Sequence, residues 1–274
     1  MNKDFKEAKR EYEKMKAPKS LKNSVMKNFE TPKKKNGIGI FAASIAAVFT
    51  LFTISLNTNE VFARNLSNID ALKGVVKILT GGKYEVEDNY ISAAITTPKI
   101  TGLSDKEFEN FLNEELAENA NVVMEALKEE MEKRVESGLD YHLGVDYGYE
   151  IKADTDQYIV LDVYVVNTVA SSQTIHTFYN IDKVNNKLIT LKEWVNNENY
   201  VAIINDYIKK EMLKREEEQG YAYFWKDEFA FETINEDTKF YINQKGNAVI
   251  SFEKYEIAPG AYGNVEFEIP NELF

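Results

Sequence analysis

The 274-residue chain contains no cysteine and only two histidines. Without cysteine no disulfide can form, and thiol chemistry is excluded. His142 and His176 fall in predicted strands without the spacing of metal ligands, and HExxH, GxSxG, P-loop and GxGxxG motifs are all absent from the sequence. The 45 Asp and Glu residues are so many that pairing any two as acid and base has no specificity. The residues therefore give no positive support for an enzyme, and no cofactor or metal is expected.

Charge is absent from one stretch of 20 residues, 37–56 (GIGIFAASIAAVFTLFTISL), which is long enough to cross a bilayer as a helix. Residues 1–40 contain 12 Lys/Arg and five Asp/Glu, a net charge of +7. Residues 57–274 contain 21 Lys/Arg and 40 Asp/Glu, a net charge of −19. Because basic flanks stay inside, we expect a single-pass protein of the cell membrane with a cytoplasmic N-terminus and an exported acidic bulk.

The acidity of the exported part bears on its partners. Phosphate would be repelled, so nucleic-acid binding is disfavoured. A cationic partner is the natural complement, since complementary charge speeds and selects encounters. The alternative is that the acidity simply keeps an exported domain soluble.

A possible cleavage site follows the apolar stretch. The apolar stretch is preceded by 36 residues and is itself 20 residues long. Both lengths favour a retained anchor over a cleaved signal peptide. However, Val61 and Ala63 fit the −3 and −1 preferences of signal peptidase, with the cut before Arg64.

The N-terminal 36 residues form a separate tail. Its apolar residues recur at helical spacing in two short segments on either side of Pro18, namely Phe5, Tyr12 and Met15, then Leu21, Val25 and Phe29. Stripes this small cannot form a core, so the tail lies either on membrane lipid or in a groove of a partner protein.

Beyond the apolar stretch the pattern predicts an α+β fold. A juxtamembrane segment, 57–82, is expected to hold an amphipathic helix over 65–79 that ends at Gly81-Gly82. The exported domain, 83–274, follows with antiparallel sheets packed against two main helices, and it could form two subdomains, 83–185 and 186–274. The predicted strands are 84–86, 90–100, 141–153, 158–169, 174–183, 238–242, 248–252 and 265–269. The predicted helices run from a capping box at Ser104 and Glu107 to Gly138, and from about 200 to 218.

One irregular segment, 251–264, stands between two strands. Pro259 and Gly260 fix its backbone path, and Tyr262 follows. A tyrosine on a rigid loop offers a large contact area at little entropic cost. The alternative is an ordinary loop in which Tyr262 folds back on the core.

Three runs carry a resemblance to a known family. YEIAPGAYGNVEFEIP (255–270), TPKITG (97–102) and LITLKEWV (188–195) resemble motifs of the exported domain shared by RsiV-type anti-sigma factors and PdaC-type peptidoglycan deacetylases. The order of tail, single span and exported domain is similar to the RsiV type along nearly the whole chain. The deacetylases carry an additional catalytic domain with a metal-binding Asp/His set, for which this sequence has no counterpart.

The resemblance implies two binding partners. The tail would hold an extracytoplasmic-function sigma factor of the sigma-V type, through Phe5, Tyr12, Met15, Leu21, Val25 and Phe29. The exported domain would bind C-type lysozyme, a strongly basic protein with a cleft. A protruding loop can fill a cleft, so we expect lysozyme contacts at Pro259, Gly260, Ala261 and Tyr262, with the turn at Ser171 and Ser172 beside them.

The resemblance also implies how a signal is passed. Lysozyme binding would expose the Ala63–Arg64 bond to signal peptidase, and a membrane-embedded site-2 protease would then cut within the span and release the sigma factor. The helix over 65–79 could lie along the bilayer and hide the bond until lysozyme binds. The alternative function is a membrane-anchored cell-wall enzyme or carbohydrate-binding module.

Overall fold

The structure, a computed structural model, describes residues 76–87, 91–137, 142–168, 171–225 and 230–274, with side chains for all of these except 134–137. The predicted tail, membrane span and cleavage site lie outside these residues. The chain divides into two units. Of the described residues, 121–137 belong to the smaller unit, and the larger unit, 76–120 with 142–274, contains both sheets and the site below.

Six strands form the larger sheet, and their order in the sheet follows the chain. They are β1 (Lys77–Glu87), β2 (Ile91–Thr101), β3 (Leu143–Asp154), β4 (Tyr158–Thr168), β5 (Ser172–Asp182) and β6 (Lys187–Leu188). Neighbours are antiparallel except β2 and β3, which are parallel. The parallel pair differs from the predicted antiparallel sheets. It arises because the helix between these two strands is a crossover connection, which returns the chain in the same direction.

The start of β1 corrects the sequence prediction. Lys77–Leu79 pair with Thr101, Ile100 and Lys99, so they are strand and the predicted helix over 65–79 is wrong for these three residues. Gly81-Gly82 does not end an element, because the ladder continues past it with a shift of register between Thr80 and Gly82. Residues 65–75 lie outside the described part of the chain.

Helix α1 (Lys106–Ser137) begins one residue later than its predicted capping box requires. The Oδ1 atom of Asp105 accepts hydrogen bonds from the backbone N–H groups of Glu107 (2.9 Å) and Phe108 (3.0 Å), so Asp105 is the N-cap. The predicted cap, Ser104, instead exchanges hydrogen bonds with the side chain of Asn186. The capping-box assignment was therefore wrong by one residue.

Up to Ala120, α1 covers one face of the larger sheet. Leu112 and Leu116 are fully buried, and the Tyr147 hydroxyl of β3 donates to the carbonyl of Leu116 at 3.4 Å. One turn further on, the Asn119 amide donates to the Tyr179 hydroxyl of β5 at 2.8 Å. The sheet face that carries Tyr147 and Tyr179 is therefore the helix-covered face.

The smaller sheet consists of β7 (Phe240–Ile242), β8 (Ala248–Phe252) and β9 (Val265–Ile269). Two helices precede it, α2 (Leu191–Val195) and α3 (Tyr200–Gln219). Ile204, Ile208 and Met212 of α3 are completely buried in one cluster with Ile250 and Phe267 of the sheet. Helix α3 thus supplies the apolar layer for the smaller sheet.

Glycine or asparagine with a positive φ lies in two turns and at a helix end of the larger unit. Asn186 (φ 51°) lies in the turn after β5, Gly220 (φ 68°) ends α3, and Gly246 (φ 84°) lies in the β7–β8 hairpin. Within the described residues, no helix combines the length and apolar character that a bilayer crossing requires.

Candidate partner-binding site

The loop between β8 and β9 begins with a tight turn. The N–H of Glu256 donates to the carbonyl of Glu253 at 3.0 Å, and the Glu256 carboxylate accepts from the Glu253 N–H at 2.7 Å. Glu253 also forms an ion pair with Lys239. These bonds fix the first residues of the loop at the end of β8.

The middle of the loop is fixed by buried side chains and a backbone hydrogen bond. Ile257 and Ala258 are buried, and the carbonyl of Ile257 accepts from the N–H of Phe224 at 2.8 Å. The loop is therefore joined to the segment that follows α3.

A 3₁₀ turn, Gly260–Tyr262, forms the far side of the loop. The N–H of Tyr262 donates to the carbonyl of Pro259 at 3.0 Å, and the N–H of Gly263 donates to that of Gly260 at 3.2 Å. Gly263 has a φ of 65°, where a side chain is disfavoured. Pro259 and Gly260 are half-buried and Ala261 is exposed.

Tyr262 folds toward the core of the smaller sheet. Its ring stacks on that of Tyr221 with centroids 4.3 Å apart, and its hydroxyl accepts from the N–H of Ala222 at 3.1 Å. The side chain is half-buried, so part of the ring remains available to solvent. This placement matches the alternative in which Tyr262 folds back on the core, and part of its side chain stays exposed.

The turn between β4 and β5 lies beside this loop. The ammonium group of Lys254 donates to the Ser171 hydroxyl (2.9 Å) and to the carbonyl of Ser172 (2.7 Å). The amide of Asn264 donates to the carbonyl of Thr174 at 3.4 Å. Both ends of the loop are thus tied to the start of β5, and the structure brings the predicted residues Ser171 and Ser172 next to the loop that contains 259–262.

Sequence reasoning missed the residue that makes this connection. Lys254 carries no motif, because a lysine at the start of a loop is ordinary and its partners lie more than 80 residues away. The neighbouring Tyr255 is the first residue of the 255–270 motif. Its left-handed backbone (φ 71°) has no sequence signal, because tyrosine rarely adopts it.

A second polar group lies on the sheet face opposite α1. Asp162 of β4 is completely buried, and its carboxylate lies 3.1 Å from Nζ of Lys152 and 2.9 Å from Nδ1 of His176. Its charge is therefore paired with two partners. Within the described residues no group of three or more His, Asp or Glu side chains could hold a metal ion. His176 serves here as a hydrogen-bonding neighbour of a buried carboxylate.

Comparison with known proteins adds the family. Residues 194–272, which include the loop, match a family described as a protein of unknown function, DUF3298. A crystal structure of a DUF3298 member from Bacteroides fragilis covers 73% of this chain and 92% of its own at 15% identity and a TM-score of 0.51, which shows a shared fold. A second such structure, from Pseudomonas aeruginosa, covers 73% of this chain and 91% of its own at 12% identity and a TM-score of 0.45.

A full-length relative supports the resemblance found in the three sequence runs. The anti-sigma-V factor RsiV of Bacillus subtilis (strain 168) is 32% identical over 98% of this chain and 95% of its own length. The chain belongs to the RsiV family of anti-sigma factors.

Proposed function

We propose that this anti-sigma factor is a single-pass membrane protein that senses C-type lysozyme with its exported domain and releases a sigma-V-type sigma factor after two proteolytic cuts. The function requires three sites: a lysozyme-binding loop, a signal-peptidase site and a sigma-binding tail. Only the first lies within the described residues, so the structural support concerns the loop.

The observation that carries the proposal is the tie between the loop and the β4–β5 turn. Lys254 bonds to Ser171 and Ser172, so two segments separated by more than 80 residues form one surface. The loop is short and hydrogen-bonded at both ends, which limits the entropy lost when a partner binds. A preorganised loop with exposed residues suits the concave cleft of an enzyme.

Charge supports the same partner. The part of the chain beyond residue 56 has a net charge of −19, and a basic protein would be drawn to it. Long-range attraction mainly raises the association rate and weakens with salt, whereas a loop that fills a cleft acts through contact. We therefore expect high salt to lower the association rate with lysozyme, while the complex itself persists.

The lysozyme contact is tested at Tyr262 in the full-length chain. Tyr262→Ala should weaken lysozyme binding by about 2 kcal/mol or more if the ring is an anchor. Leu273→Ala is a suitable control, because Leu273 is also partly exposed but lies outside the loop. An unchanged dissociation constant in a titration would remove Tyr262 from the site.

The cleavage step is tested at Ala63. Ala63→Trp should block the first cut, because signal peptidase requires a small residue at −1. Phe62→Trp is the matched control, since a large side chain already stands at −2. The appearance of the normal fragment from Ala63→Trp after lysozyme addition would place the cut elsewhere.

The tail is tested by its apolar stripe. Leu21→Glu should release the sigma factor without lysozyme, because a charge in the contact stripe is costly to bury. Retention of the sigma factor by this variant, together with loss of its binding to anionic vesicles, would assign the stripe to membrane lipid instead.

The competing function, a cell-wall enzyme or carbohydrate-binding module, makes a different prediction. It requires binding or release of glycan in the absence of lysozyme. The proposed receptor instead inhibits lysozyme stoichiometrically and without turnover. Release of soluble fragments from purified peptidoglycan by the chain alone would favour the enzyme.

A further inference from the structure

Tyr255 has an unusual backbone for its type. Among the described residues, three that are not glycine have a positive φ, and the other two are Asn186 and Asn196. Asparagine tolerates this region because its short polar side chain can bond locally, whereas a bulky aromatic residue is an outlier there. Such strain persists only where the surroundings impose it, and it is concentrated at functional sites.

The ring of Tyr255 rests on a glycine. A Cβ atom added to Gly260 would lie 2.2 Å from Cζ of Tyr255 and 2.6 Å from its hydroxyl oxygen. Gly260 is not among the residues with positive φ, so its lack of a side chain serves space and not conformation. The ring therefore occupies a place that only glycine leaves open.

The ammonium group of Lys254 contacts the Tyr255 ring. Nζ of Lys254 lies 5.2 Å from the centroid of the Tyr255 ring, within the range of a cation–π contact. The same ammonium group bonds to Ser171 and Ser172. Ring, lysine and turn are thus linked, and the ring is positioned between two parts of the candidate site.

The ring is nevertheless open to solvent. Tyr255 is 56% exposed, against 41% for Trp225, the other large aromatic residue that is exposed among the described residues. This contrasts with Tyr262, whose ring is stacked and whose hydroxyl accepts a backbone hydrogen bond. The exposed face of the Tyr255 ring therefore contributes little to the stability of the folded chain.

We propose that Tyr255 is a preformed aromatic anchor for the protein partner, with Gly260 as its seat and Lys254 as its link to the Ser171–Ser172 turn. The anchor rests on the proposed function, and the partner is the same basic protein with a cleft. A tyrosine fixed before binding contributes contact area without a further loss of side-chain freedom. Its loss should therefore raise the dissociation rate.

The decisive variant is Tyr255→Gly in the full-length chain. Glycine removes the ring and also relieves the left-handed backbone, so the thermal midpoint should stay unchanged or rise. Lysozyme binding should weaken at least tenfold, mostly through faster dissociation. Tyr255→Phe should stay within threefold of the wild type, because the ring and its seat remain.

Asn196→Gly is the matched control. It also replaces a positive-φ residue by glycine, at an exposed position that ends α2, and it should leave lysozyme binding unchanged. Gly260→Ala is the second test, because it keeps Tyr255 but displaces the ring. We expect a similar loss of affinity, and little further loss when Tyr255→Gly and Gly260→Ala are combined.

Two outcomes separate this inference from the proposed function. Wild-type affinity in Tyr255→Gly, with normal binding by the wild type, would overturn the anchor and leave the lysozyme receptor standing. A wild-type chain that does not bind lysozyme would remove the receptor and the anchor together. Weakened binding in Asn196→Gly would show that the loss follows from the glycine and not from the ring, which also overturns the anchor.

Discussion

The imidazole Nδ1 of His176 lies 2.9 Å and 3.0 Å from the two carboxylate oxygens of Asp162, which is completely buried in β4. Lys152 approaches the same carboxylate from β3 at 3.1 Å. The three side chains join neighbouring strands across the sheet. A buried carboxylate is costly to disturb, because without access to water it depends on these partners for its pairing.

Asp162→Asn should therefore destabilise the domain by about 1–3 kcal/mol at neutral pH, since the charge-assisted hydrogen bonds to Lys152 and His176 are lost. Chemical denaturation of the purified protein measures the change. Glu85→Gln is the control, because its ion pair with Lys83 has both side chains more than half exposed. The control should change stability by less than about 0.5 kcal/mol, and equal effects of the two variants would contradict the burial argument.

Gly148 of β3 is covered by the phenol of Tyr164. A Cβ at Gly148 would lie 2.5 Å from the Tyr164 hydroxyl oxygen and 2.6 Å from Cζ. Gly148→Ala should cost about 1–3 kcal/mol by displacing that ring, as measured by denaturant unfolding. In a Tyr164→Val background the same change should be nearly neutral, and a cost that persists there would assign the effect to the backbone of β3 instead.

Thr190 caps α2 by a reciprocal pair of hydrogen bonds. Its hydroxyl accepts from the Glu193 N–H at 3.2 Å, and the Glu193 carboxylate accepts from the Thr190 N–H at 3.1 Å. Thr190→Ala should destabilise the domain by about 1 kcal/mol, while Thr190→Ser should be close to neutral because it keeps the hydroxyl. Thermal unfolding of both variants decides between a cap and a mere packing role for the threonine methyl group.

Asp182 at the end of β5 gives stability that depends on pH. Burial by itself raises the pKa of this carboxyl, but hydrogen bonds from the Asn185 N–H and amide and from the Val184 N–H, with the charge of Lys187 nearby, hold it below its ordinary value. A lowered folded-state pKa means that the stabilisation is present above about pH 4 and is lost as pH falls through the folded-state value.

Asp182→Asn should therefore lower stability at pH 7 by roughly 1–2 kcal/mol, and the difference from the wild type should shrink below pH 4. Unfolding free energies at pH 7 and pH 3 measure it. A difference that stays constant across that range would show that the ionised carboxylate is not the stabilising form.

The elements with strong local signals were predictable. The run of β-branched and aromatic residues in β4, the glycine after α3 and the turn around Gly246 all follow from residue types within a few positions. The loop after β8 was also found, because Pro259 and Gly260 mark it. What these features share is that the deciding interaction lies nearby in sequence.

The errors arose where distant contacts decided the outcome. Lys77–Leu79 have a pattern that suits a helix, but pairing with residues 99–101 makes them strand. Asp105 caps α1 in place of Ser104, because the Ser104 hydroxyl donates to the side chain of Asn186, 82 residues away. The contacts of Tyr255 with Gly260 and Lys254 depend on a backbone conformation that tyrosine disfavours. No local sequence rule therefore predicts them.

The parallel pairing of β2 with β3 has a consequence for how the chain reaches its native state. Ile91 pairs with Leu143, so the ladder joins segments about fifty positions apart, whereas β3, β4 and β5 meet through tight hairpins. Closing a long loop is entropically unfavourable until its contacts form, and high contact order slows assembly. We therefore expect the β3–β5 meander to form first and the pairing of β2 with β3 to follow as the slower step.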